Sequence, residues 1–228
     1  MKFTYIFLIL VAMIFLYYSP NIVSSIPVER TAEEHLESGK AFLAEDNLWK
    51  AREAFRLAIK HDPNNAEAYF LRGTSQMALN YFNDAVSDFS HALQLNPSNG
   101  NAYYNRGLAL AKSGNIKAAI EDFDKAISIN PGDVAAYRDR GVAKQRLDDR
   151  IGALEDFRTA TELNGNFSAA QVSYGNLLLE LGKVEEGLER LNAAVALDPS
   201  LKATLLESTG CGATWSHERN EVEYRDCR

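Results

Sequence analysis

The chain has 228 residues, 46% of them hydrophobic and 24% charged, which is enough to bury a core and to solvate an outer surface. Its 31 acidic and 24 basic side chains leave a net charge of −7. No run of Lys and Arg offers the basic footprint that displaces counterions from phosphates, so general nucleic-acid binding is excluded.

The first element in chain order is apolar. From Phe3 to Val28 there is no charged residue, and Phe3 to Tyr18 reads FTYIFLILVAMIFLYY. Residues 1–28 are expected to be either a secretory signal peptide or a single membrane-spanning anchor. Val23-Ser24-Ser25 supplies small residues for cleavage, while the length of the uncharged span suits retention, with Lys2 on the inner side. A buried core helix would need a polar face, which this run lacks.

After Arg30 the chain repeats itself. Pro63, Pro97 and Pro131 are 34 residues apart, Gly165 holds the next place, and Pro199 resumes the series. Gly39, Gly73, Gly107, Gly141 and Gly175 keep the same spacing, as do Ala51, Ala85, Ala119 and Ala153, followed by Gly187. Phe55, Phe89, Phe123 and Phe157 give way to Leu191 in the last unit, and Ala58, Ala92, Ala126, Ala160 and Ala194 complete the pattern. Five units without insertions follow: 32–65, 66–99, 100–133, 134–167 and 168–199.

Each unit is predicted to be two helices. In the third, Tyr103, Gly107 and Leu110 share one helical face, and Ser113-Gly114-Asn115 makes the turn. A second helix from Ile116 places Ala119, Ile120, Phe123, Ala126 and Ile127 at helical spacing until Asn130-Pro131 stops it. Gly107 and Ala119 let the two helices approach closely, and Phe123 supplies bulk. Residues 200–210 are expected to form a capping helix whose Leu201, Leu205 and Leu206 cover the last unit. The remaining tail, 211–228, is polar and has no clear period. It holds both cysteines, Cys211 and Cys227. In an oxidising compartment they are expected to bridge, a closure worth about 3 kcal/mol in the chain-entropy model; otherwise they are two free thiols.

A 34-residue helix–turn–helix unit with small residues, a phenylalanine and a closing proline at these places resembles the tetratricopeptide repeat. The resemblance covers about three quarters of the chain. Departures gather at the ends, where a solenoid unit loses a neighbour: His35 and Gln171 replace the tyrosine of the middle units, and Gly187 and Leu191 replace Ala and Phe. What the resemblance implies is an all-α, right-handed superhelical solenoid with a concave groove lined by the first helices. It also implies a non-catalytic protein–protein interaction scaffold that takes a partner's peptide or helix in that groove, here exported or membrane-tethered. The alternative is a co-chaperone or assembly factor for envelope or secreted complexes. At the places of the family's carboxylate clamp the chain has Phe70, Thr74, Asn105, Ala135 and Asp139, of which only Asn105 fits, so that clamp is absent.

The same register sets out two groups of residues. Arg72, Arg106 and Arg140 recur in phase with Asp88, Asp122 and Asp156, and are expected to pair between the two helices of one unit. The first unit has Ser38 and Ala54 at those places, and the last has Tyr174 and Arg190. In the groove, one ladder is Leu36, Phe70, Tyr104, Arg138 and Val172. Beside it stand Thr74, Leu108 and Val142, with Asn101 and Asn105 flanking Tyr104. Phe70 and Tyr104 are read as free for a ligand because Tyr69 and Tyr103 already serve the core. Aromatic area, an amide for a peptide backbone and the Arg138 guanidinium suit a peptide carrying an acidic group. Histidines at 35, 61, 91 and 217 form no ligand spacing, so neither a metal nor any cofactor is expected. No nucleophile elbow or phosphate loop is present, and an enzyme is not expected. The expected partners are thus a protein or peptide, plus the membrane if the N-terminal segment is retained.

Overall fold

The computed structural model describes residues 30–202 and the backbone of two short strands, 213–216 and 221–224. The expected signal or anchor, both cysteines and all but the start of the expected capping helix lie outside the described residues. Among the described residues ten helices follow one another: α1 (Ala32–Ala44), α2 (Leu48–His61), α3 (Ala66–Ala78), α4 (Phe82–Leu95), α5 (Gly100–Lys112), α6 (Ile116–Ile129), α7 (Val134–Arg146), α8 (Arg150–Leu163), α9 (Ser168–Glu180) and α10 (Val184–Leu197). Consecutive helices pack in pairs, and each first helix also touches the first helix of the next unit. The first helices therefore form the inner side of a solenoid.

Local chemistry sets the helix ends. Thr31 and Glu34 form a capping box at α1, and the side chains of Asn47, Asn65, Asn99, Asp133 and Asp149 each accept a backbone N–H of the first turn they precede. Within every unit the chain reverses through one left-handed residue: Asp46, Asn80, Gly114, Asp148 and Gly182, at φ from 56° to 94°. Only Gly, Asn and Asp take that conformation cheaply, and these residues again recur every 34 positions.

The core runs as a string of small clusters along the solenoid. Ala51, Ala85, Ala119 and Ala153 are fully buried, and Phe55, Phe89, Phe123 and Phe157 each lie under the glycine of the first helix in their own unit. A Cβ on Gly107 would stand 2.8 Å from the Phe123 ring, and one on Gly141 would stand 2.6 Å from Phe157. Glycine is needed there because ring and backbone touch. At the far end Leu201 is again helical and packs on Leu191 and Val195.

The tail, polar and without a clear period in sequence, holds a strand pair. β1 (Ala213–Ser216) pairs antiparallel with β2 (Glu221–Tyr224), Ala213 opposite Tyr224 and Ser216 opposite Glu221, and β2 lies beside α10. Strands of four residues are too short to show a period of two. Among the described residues no helix is long and apolar enough to cross a membrane.

Candidate peptide-binding groove

The inner faces of α5 and α7 enclose a cavity of about 320 Å³. Leu108 and Val142 give it an apolar wall, and Tyr104, Arg138, Asp139 and Arg146 give it a polar one. Tyr104 reaches from one unit to the next, its hydroxyl donating to Asp139 Oδ2 at 2.7 Å. Burial of the phenol, and then the neighbouring Asp139 carboxylate, push its pKa well above the ordinary tyrosine value. Arg138 donates from Nη1 to Asp139 Oδ1 at 2.5 Å and from Nε to Ser173 Oγ at 3.4 Å. Its side chain keeps 35% of its surface exposed. Arg146 donates to the Ala111 carbonyl at 3.0 Å. The walls are thus tied across units, while cationic surface remains open to a ligand.

Of the residues expected in the groove, Tyr104, Leu108, Arg138 and Val142 line this one cavity. Phe70 and Thr74 belong to the preceding unit, where Thr74 Oγ1 donates to the Phe70 carbonyl at 3.0 Å. The Asn105 amide donates to the Asn101 carbonyl at 2.8 Å and so is turned onto its own helix, and neither residue lines the cavity. Two readings are corrected. Phe70 and Tyr104 are not free of the core: their rings lie 5.7 Å from Phe89 and 5.9 Å from Phe123. Leu36, the first member of the ladder, is 2% exposed and belongs to the core. Asp139, a mismatch at the place of the family's clamp, is instead the shared acceptor of Arg138 and Tyr104.

The arginine–aspartate columns meet between the helices of each middle unit. Arg72 donates to Asp88 at 2.7 and 2.6 Å, Arg106 to Asp122 at 2.7 and 2.8 Å, and Arg140 to Asp156 at 3.0 and 2.6 Å. All three carboxylates are buried, and these bidentate bonds satisfy them. Each guanidinium also lies over the tyrosine three residues before it: Tyr69, Tyr103 and Tyr137. In the last unit the exchange of residues keeps a contact of another kind, with Arg190 over the Tyr174 ring at 6.0 Å.

The third nitrogen of two arginines crosses to the unit before. Arg106 Nη1 donates to Ser90 Oγ on α4 at 3.1 Å, and Arg140 Nη1 donates to Asp124 Oδ1 on α6 at 2.5 Å. His35 and His91 stack on His61 and Tyr69 at 5.4 and 5.1 Å. Among the described residues, no group of three or more His, Cys, Asp or Glu side chains is placed to hold a metal ion.

Family models described as tetratricopeptide repeat match residues 100–133 and 138–201, and one described as TPR repeat matches residues 73–114. Solved structures share the fold. MamA from Desulfovibrio magneticus RS-1 is 20% identical, with a TM-score of 0.69 over 74% of this chain and 96% of its own. YrrB, described as a TPR protein with an unusual peptide-binding site, is 22% identical, with a TM-score of 0.65 over 78% of this chain and 92% of its own. No curated protein matches the chain by sequence.

Proposed function

The chain carries tetratricopeptide repeats, and from that premise we propose that it is a non-catalytic scaffold that takes a partner's peptide or helix in the groove between α5 and α7. One observation carries the reading: an apolar wall of Leu108 and Val142 faces an arginine whose side chain is 35% exposed. Apolar area supplies affinity, and Arg138 selects an acidic group on the ligand. The peptide-binding site named for YrrB supports the same use of the fold. The uncharged run from Phe3 to Val28 supports export or tethering, with the repeats on the extracytoplasmic side.

A photo-crosslinking residue placed at Val142 in the native host tests this. Crosslinks to a partner are expected from Val142 and not from Asp84 on α4, outside the cavity. The captured segment, made as a peptide, should bind at least about 1 kcal/mol more weakly to Arg138→Ala by calorimetry, with helicity unchanged. Crosslinks from Asp84 alone would move binding off the groove.

A further inference from the structure

The crevice between α2 and α3 carries chemistry that the groove does not use. It encloses about 320 Å³ and shares no lining residue with the groove cavity. Trp49, Arg52, Glu53 and Arg56 come from one face of α2, and Arg72 and Gln76 come from α3. Trp49 is 57% exposed and meets Tyr81 edge to face at 5.8 Å. Arg52 lies over both rings, 5.6 Å from Trp49 and 5.2 Å from Tyr81, and among the described residues makes no close ion pair. The Arg56 hydrogen bonds, helped only at longer range by the Arg52 charge, hold the Glu53 carboxyl below its ordinary pKa. Gln76 is only 5% exposed, yet its Oε1 has no hydrogen-bond partner. That oxygen is buried below solvent contact, and a ligand N–H meets it once the amide turns about its last side-chain torsion toward the crevice that Gln76 lines.

Comparison along the solenoid points to an anion as well. At the α4–α5 joint the reaching arginine finds Ser90, and at the α6–α7 joint it finds Asp124. The corresponding residue at the α2–α3 joint is Arg56. The crevice therefore gathers three guanidiniums, of which Arg56 is held by Glu53 at 2.8 and 2.6 Å and Arg72 by Asp88 at 2.7 and 2.6 Å, so that the excess charge is that of Arg52.

We propose that this crevice binds an extended acidic segment of a partner protein, separately from the groove. A carboxylate side chain of the segment is held by Arg52 with Arg56 and Arg72, a backbone N–H donates to Gln76 Oε1, and an apolar side chain lies on Trp49. The excess of guanidinium selects the carboxylate, and the orphaned acceptor selects a backbone over a bare anion, which has no donor. The net charge of −7 repels a polyanion as a whole, but a short segment with a few carboxylates escapes most of that repulsion.

Trp49 and Trp215 are the only tryptophans, so Trp215→Phe makes Trp49 the sole indole reporter. The probe is an end-blocked peptide, Gly-Glu-Leu-Glu-Leu-Glu-Gly, titrated against Trp49 emission. The expected result is a saturable shift that the glutamine version of the peptide reproduces at least about tenfold more weakly. Arg52→Ala and Arg56→Asp, the latter restoring the acceptor found at the α6–α7 joint, should each weaken binding by about tenfold or more. Gln76→Leu should weaken it about threefold or more, whereas Arg138→Ala should leave it unchanged, which separates this crevice from the groove. No shift with the acidic peptide, an equal shift with the neutral one, or indifference to Arg52→Ala and Arg56→Asp would overturn the proposal. So would a shift given by a short single-stranded oligonucleotide and not by the peptide.

Discussion

At the scale of single residues, Gln76 and Tyr104 stand out because each sets a polar group against burial. The column that contains Gln76 holds Leu110 and Leu178 in other units. Gln76→Leu removes an unpaired buried oxygen and adds apolar contact, so it should stabilise the fold by about 1 kcal/mol. The urea midpoint is expected to rise with an unchanged slope; a fall would mean that the amide is satisfied. Tyr104 gives a pH dependence. Its pKa is raised in the folded chain above the ordinary 10.0, so on alkaline titration the unfolded chain loses this proton first. The contribution is complete below pH 10 and is lost as pH rises from there toward the folded value. Tyr104→Phe should therefore flatten the decline of stability with pH in that alkaline range. An equally steep decline would assign it to the chain's other tyrosines.

Between elements, the contacts that matter are glycine against ring and arginine against aspartate. Gly141→Ala should cost about 1–3 kcal/mol, because the Phe157 ring cannot retreat from a Cβ 2.6 Å away without disturbing its neighbours. Asp122→Ala leaves Arg106 half-buried and unpaired and should cost about 2–3 kcal/mol. The double replacement Arg106→Met with Asp122→Leu should recover most of that loss, and strictly additive costs in a double-mutant cycle would deny the coupling. Both contacts were legible in the sequence, because a structural need that recurs with the units prints a column of identical residues. The reach of Arg106 and Arg140 into the preceding unit was not, because its acceptors differ: Ser90 in one place and Asp124 in another. The groove was half legible for a related reason. The register puts Phe70 and Tyr104 in one ladder, but whether a ring covers a neighbouring phenylalanine depends on side-chain direction, which spacing does not carry. The Gln76 crevice lay in a column of mixed residues, where no repetition drew attention to it.

For the molecule as a whole, contacts run between neighbouring helices and neighbouring units, so stability is close to a sum over units and the interfaces between them. Units at the two ends have one neighbour each and lack the arginine–aspartate pair, Ser38 and Ala54 standing at one end and Tyr174 and Arg190 at the other. Hydrogen exchange should consequently be slowest in α5 to α8 and fastest in α1, α2, α9 and α10. Uniform protection across all ten helices would show one cooperative block instead.

Arg106 and Arg140 act as rivets between plates. At the α2–α3 joint the rivet is missing: the place is held by Arg56, whose charge opposes that of Arg72. The ion pair that does cross there, Lys40 with Glu67 at 2.9 Å, is 36% and 55% exposed and bears little load. A pull on the two ends of the solenoid would open the seams without a rivet, this one and α8–α9, where Tyr174 stands in the arginine's place, before those at α4–α5 and α6–α7. An end unit would peel away as a discrete step of about 34 residues, leaving the riveted units standing.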